Sequence, residues 1–117
     1  MNADQYRHQV ENVMKEEYAS YEAKVVAQLE TSVQSVVREK REAEHEITSV
    51  ELALREQLRQ GRLLLGVLSG KREELEKSFS ARISTLKADT TAALRDKRDV
   101  LQRECDTMVT NRFGKGS

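Results

Sequence analysis

The segment Glu42-Ala-Glu-His45 is the nearest approach to a catalytic or metal-binding motif in this sequence. A Glu-x-x-His spacing puts a carboxylate and an imidazole on one face of a helix, and carboxylate-bridged di-iron bundles use that spacing. Such sites also need inward-facing ligands from several helices. Because Ile47 and Val50 mark the apolar face of this segment, Glu42 and His45 fall on the outer face. We therefore predict a solvated charged surface here and no metal site.

The single cysteine, Cys105, is the only thiol available for nucleophilic or redox chemistry. It lies in register with apolar residues, no His or Asp partner accompanies it, and a buried cysteine behaves as a small, inert hydrophobe. The segment Ser69-Gly70-Lys71 lacks the spacing of a phosphate-binding loop. We predict that the protein is not an enzyme and takes no cofactor or metal.

Basic side chains near the C-terminus could contact an acidic polymer such as a microtubule or nucleic acid: Arg95, Lys97, Arg98 and Arg103. Acidic residues alternate with them, beginning at Asp96 and Asp99. A helix face of mixed sign is usually only solvated, so polymer binding through the basic C-terminal half is the alternative interpretation.

The elements that would position these residues are indicated by composition. The 117 residues include no Pro, 34% are charged and 4% are aromatic. A compact domain needs more Gly, Pro and Asn for its turns, and a disordered chain would be poorer in apolar residues than the 38% found here. No secretory signal is apparent, and no apolar run approaches the ~20 residues of a membrane span. We expect a soluble intracellular protein, cytoplasmic or nuclear, with no membrane association.

Apolar residues recur in steps of three and four along almost the whole chain, the pattern of a coiled coil with steps averaging about 3.5 residues. Consecutive four-residue steps at two places read as stutters in that pattern. The sequence predicts an all-α coiled-coil region over 1–112, a helix stop at Gly114 and a flexible tail over 113–117. The predicted seam comprises Met14, Tyr18, Tyr21, Val25, Leu29, Val33, Val36, Ile47, Val50, Leu54, Leu64, Leu68, Leu75, Phe79, Ile83, Leu86, Leu101, Cys105 and Met108.

Two architectures are compatible with this seam, and they differ at 61–70, where three glycines make the one internal candidate for a break. In the first, a continuous helix forms a parallel homodimer in which the two Cys105 residues face each other. In the second, the chain bends near Gly66, Ser69 caps a second helix, and the result is an antiparallel hairpin. We favour the first, because the heptad phase continues through Gly66.

Charge favours the antiparallel arrangement instead. Residues 1–60 carry 8 basic and 12 acidic side chains, and residues 61–117 carry 12 and 8. A hairpin would place these oppositely charged halves side by side.

The function expected from these features is structural. The chain fits a non-enzymatic oligomerisation module, a scaffold or spacer in a larger intracellular assembly of cytoskeletal or kinetochore type. Its expected partners are itself, as a homodimer or higher oligomer, and other coiled-coil proteins. Heptads are shared by coiled coils of any ancestry, so this pattern identifies no family.

Overall fold

Two long α-helices contain nearly all of the residues that the structure describes. In the computed structural model of the chain the described residues are 1–56 and 58–114, without the side chains of 58–63. Helix α1 runs over Ala3–Glu56 and helix α2 over Leu58–Phe113. The predicted all-α class is confirmed. None of the described helical segments is both long and apolar enough to cross a lipid bilayer.

Helix α1 begins with a reciprocal cap that was not predicted from the sequence. The backbone N–H of Gln5 donates to Oδ1 of Asn2 at 2.8 Å, and the backbone N–H of Asn2 donates to Oε1 of Gln5 at 3.1 Å. This is a capping box with Asn at the N-cap and Gln three residues later. Asp4 in the first turn adds a negative charge at the positive end of the helix dipole.

Helix α2 ends where the sequence predicts. Gly114 has a φ of +77°, and its N–H donates to the carbonyl oxygen of Thr110 at 2.7 Å. This left-handed cap is the conformation that favours glycine at a helix C-terminus. The predicted tail over 113–117 began one residue too early, since Phe113 is the last helical residue and its ring packs 5.5 Å from that of Tyr6. Residues 115–117 lie outside the described residues.

The chain forms two compact units, and the helices run antiparallel within each. The terminal unit comprises Met1–Leu29 and Ala88–Ser117, and the central unit comprises Glu30–Lys87. In the terminal unit Nη1 of Arg7 lies 2.8 Å from Oδ1 of Asp106, although 99 residues separate them. A continuous helix would hold those residues about 150 Å apart. The favoured expectation of one straight helix is therefore wrong, and the helices contact each other as in the hairpin alternative.

The break is not at Gly66. Residues 58–113 form one helix that includes both Gly66 and Gly70, and Ser69 caps nothing. A glycine in a helix costs about 1 kcal/mol relative to alanine. In a helix of 56 residues, packing against the opposite helix offsets that cost. The continuing helix also explains why the apolar phase is retained through this segment.

Positions turned toward the opposite helix repeat every eleven residues rather than every seven. In α1 most of the buried and half-buried positions belong to three such series: 10, 21, 32, 43, 54; then 14, 25, 36, 47; then 18, 29, 40, 51. In α2 the series are 68, 79, 90, 101; then 72, 83, 94, 105; then 75, 86, 97. An eleven-residue repeat corresponds to 3.67 residues per turn and favours right-handed supercoiling, whereas the expected step of about 3.5 residues would favour left-handed supercoiling. The two apparent stutters are part of this longer repeat.

Candidate interaction surface

The predicted seam residues differ in how completely the partner helix covers them. Val36, Phe79, Leu101 and Cys105 are buried. The half-buried ones are Met14, Tyr18, Tyr21, Val25, Leu29, Val33, Ile47, Leu54, Leu68, Leu75, Ile83 and Leu86. A two-helix contact therefore leaves most of its apolar seam partly in water.

Three predicted seam residues are exposed: Val50, Leu64 and Met108. In each case a neighbour one residue further along is the more covered one, namely Glu51, Leu65 and Val109. A heptad pattern has about 3.5 residues per turn and the eleven-residue repeat has about 3.67. The predicted seam positions therefore fall one residue early at these three sites. Val109, only 5% exposed, belongs to the core and was missed, and the equally buried Val10 was left out of the predicted seam.

Polar residues also occupy seam positions, which is why the apolar pattern alone misplaced the repeat. In the central unit Nζ of Lys40 lies 2.8 Å from Oε2 of Glu76, and Nη2 of Arg72 lies 3.0 Å from Oε1 of Glu51. Lys40 and Glu51 are half-buried members of one eleven-residue series. Long charged side chains can cover apolar surface with their stems while their charged ends stay at the rim.

In the terminal unit, each tyrosine of α1 lies against one basic side chain of α2. The pairs are Tyr6–Arg112, Tyr18–Arg98 and Tyr21–Lys97, with the cationic centre 4.6, 5.6 and 5.3 Å from the ring centre. All three tyrosines are half-buried, so they pack at the helix contact and do not form an exposed aromatic patch. At such partly exposed sites a cation–π contact is worth about 0.5–1 kcal/mol.

Two of the four bases proposed to contact a polymer are engaged within the chain. Nζ of Lys97 also lies 3.1 Å from Oε1 of Glu17, and a guanidinium nitrogen of Arg98 donates to Oη of Tyr18 at 3.4 Å. That hydrogen bond is the main reason the pKa of Arg98 is raised. A guanidinium nitrogen of Arg95 lies 3.8 Å from a carboxylate oxygen of neighbouring Asp96, and Arg103 is exposed.

Cys105 is the most deeply covered side chain among the described residues, with 2% of its surface exposed. Burial raises the pKa of its thiol, and the nearby Arg7 guanidinium partly offsets that effect. Helix α1 of the same chain covers the side chain, so Cys105 does not face a second Cys105 across the seam as the parallel-dimer expectation required.

The two faces of the central unit are built differently. The ion-paired face carries the Lys40–Glu76 and Glu51–Arg72 contacts described above. The open face also carries an ion pair, Arg82–Glu39 at 2.7 Å, but it contains a groove of about 860 Å³ between the helices, where small side chains oppose each other. Residues lining this groove include Ser32, Ser35, Ser78, Ala81 and Thr85.

The Glu-x-x-His pair considered as a metal-binding motif lies on the surface of helix α1. Glu42 and His45 are both exposed, and the described residues contain no group of three or more His, Cys, Asp or Glu side chains placed to hold a metal ion. The chain matches no protein-family model, no curated protein and no solved structure.

Proposed function

We propose that the protein is a non-enzymatic oligomerisation module that serves as a scaffold or spacer in a larger intracellular assembly. The observation that supports this most directly is the incomplete cover of the seam. Twelve predicted seam residues are half-buried, and apolar side chains such as Ile47 and Leu54 remain partly in contact with water. Further helices packed on the same surfaces would complete their burial.

The amount of exposed surface supports the same proposal. The chain exposes 8913 Å² for a mass of 13.4 kDa. A folded monomer of this mass exposes about 6,500 Å² on average. The excess of roughly 2,400 Å² on one chain is larger than the surface that each partner contributes to a protein–protein interface of standard size, about 800 Å².

The partners we propose are further copies of the chain and other coiled-coil proteins, inside the cell. Assemblies of cytoskeletal or kinetochore type are where long Pro-free coils most often act as spacers. Polymer binding through the basic C-terminal half has weaker support, because Lys97 and Arg98 already contact α1.

Sedimentation equilibrium tests the proposal. Between about 1 and 200 µM, a range that covers typical weak and moderate affinities, the wild-type chain should have a mass above 13.4 kDa. A monomer throughout that range, and no mass increase on mixing with helical partner proteins, would refute it. Binding to DNA or microtubules that falls steeply with salt would favour the polymer alternative instead.

A further inference from the structure

The open face of the central unit carries exposed apolar side chains in line with its groove. Val50 is 47% exposed, and it lies eighteen residues, or five whole helical turns, after Ser32. In α2, Leu64 is 49% exposed and lies five turns before Arg82, a groove residue that pairs with Glu39 at 2.7 Å. The groove and these side chains therefore share one side of each helix.

Val67 extends the same line. It is 55% exposed and precedes the groove residue Thr85 by five turns. Exposed apolar residues scattered singly need no explanation, but a row that continues a groove is the form of a protein contact surface. The ion-paired face lacks such a row among the described residues, since α2 there presents Glu76 and Arg72 to α1.

Charge complementarity favours a second copy of this chain as the occupant of this face. Within the central unit, residues 30–56 of α1 carry seven acidic and four basic side chains, whereas residues 58–87 of α2 carry seven basic and three acidic. A second copy related by a two-fold axis parallel to the helices would lay its basic α2 over the acidic α1, and its acidic α1 over the basic α2. Both contacts would then be complementary in sign.

We propose that two copies of this chain associate through the open face of the central unit in this two-fold arrangement. The two helices of one copy then pack face to face on the two helices of the other. The inference rests on the proposed function and specifies its surface and its partner. The groove receives side chains of the other copy, and Val50, Leu64 and Val67 leave water. The ion-paired face stays in solvent.

A pair of serine variants distinguishes the two faces. Ser78 lines the groove, and Ser80 is exposed about 200° further around α2, on the side of Glu76. Ser78→Glu should weaken self-association by on the order of a hundredfold, because the dimer would bury an unpaired charge. Ser80→Glu adds the same charge to the same helix and should change the dissociation constant by less than about threefold. Circular dichroism of both variants checks that helicity is retained.

A charge exchange tests which helix lies over which. Glu46 follows the groove residue Ser35 by eleven residues, about three turns, and Lys71 precedes Ser78 by seven, about two turns. Glu46→Lys and Lys71→Glu should each weaken self-association. An equimolar mixture of the two variants should restore a 1:1 dimer, because each chain then offers the sign that the other needs.

The outcomes separate this inference from the general proposal. If the wild-type chain associates but Ser78→Glu and Ser80→Glu behave alike, the open face is not the interface, although oligomerisation stands. If Ser78→Glu alone abolishes association but the mixed charge variants fail to pair, the arrangement of α1 over α2 is overturned. A wild-type chain that is monomeric at all concentrations refutes self-association altogether.

Discussion

Truncation of Leu101 measures how much the helix contact of the terminal unit stabilises the protein. Leu101 is 4% exposed and belongs to the same eleven-residue series as Phe79. Leu→Ala substitutions at buried sites cost about 2–5 kcal/mol, with the cost depending on how far the cavity collapses. A contact between only two helices can close partly around the gap, so we expect the low end, about 2–3 kcal/mol.

The neighbouring residue provides a matched control. Val100 is 36% exposed, compared with 4% for Leu101, and its position lies about 100° from that of Leu101 around helix α2. Val100→Ala removes less buried surface than Leu101→Ala and replaces a β-branched residue with the best helix former, so the loss of stability should stay below about 1 kcal/mol. The two substitutions thus test burial at adjacent positions of one helix.

Urea unfolding followed by circular dichroism at 222 nm is the appropriate assay. All variants must be compared at one protein concentration, because association stabilises the folded state by mass action. The midpoint should fall for Leu101→Ala with little change in slope, and it should fall less for Val100→Ala. Equal losses for the two variants would refute the assigned inward face of α2, and a negligible loss for Leu101→Ala would refute the antiparallel contact itself.

Other predictions follow from the same contacts. Cys105 should react with a thiol reagent far more slowly in buffer than in urea, and mild oxidation should give no covalent dimer; rapid native reaction would show that α1 does not cover it. The hydrogen bond from Arg7 lowers the pKa of Asp106, so this carboxylate stabilises the fold above its unfolded pKa of about 3.9, and that stability is lost as pH falls through the lower folded value. In the Asp106→Asn variant the urea midpoint should therefore depend less on pH below about 4 than it does in the wild type. An unchanged pH dependence would contradict the Arg7–Asp106 ion pair. Gly66→Ala should stabilise the protein by up to about 1 kcal/mol, since the site is helical and a Cβ there meets nothing within 4 Å, whereas a loss of thermal stability would indicate a turn at this glycine. Gly114→Ala should instead destabilise it, because φ is +77°.

The sequence by itself determined the class of structure and the end of α2. A Pro-free chain with apolar residues in three- and four-residue steps can bury them only as helices, and that inference needs no knowledge of contacts. Gly114 could be assigned as a helix stop because a left-handed C-cap is a local requirement of the backbone. The reciprocal cap of Asn2 and Gln5 is equally local, and the N-cap and N3 residue types offered a signal for it.

The place where the chain reverses and the faces that meet were decided by tertiary structure. Glycine composition pointed to Gly66, but the pairs Arg7–Asp106 and Glu51–Arg72 show that the two helices run antiparallel, and helix α2 continues through Gly66 without a break. Local propensity could not locate it, because a helix interior tolerates isolated glycines at about 1 kcal/mol each.

The eleven-residue repeat likewise became visible only in the contacts between helices. Half-buried charged residues such as Lys40 and Glu51 occupy some of its positions. A seam assigned from hydrophobicity alone followed a heptad and therefore included positions outside the inward face. A long charged side chain can serve at a helix contact when a partner on the facing helix holds its charged end. That partner is distant in sequence, so no local pattern reveals it.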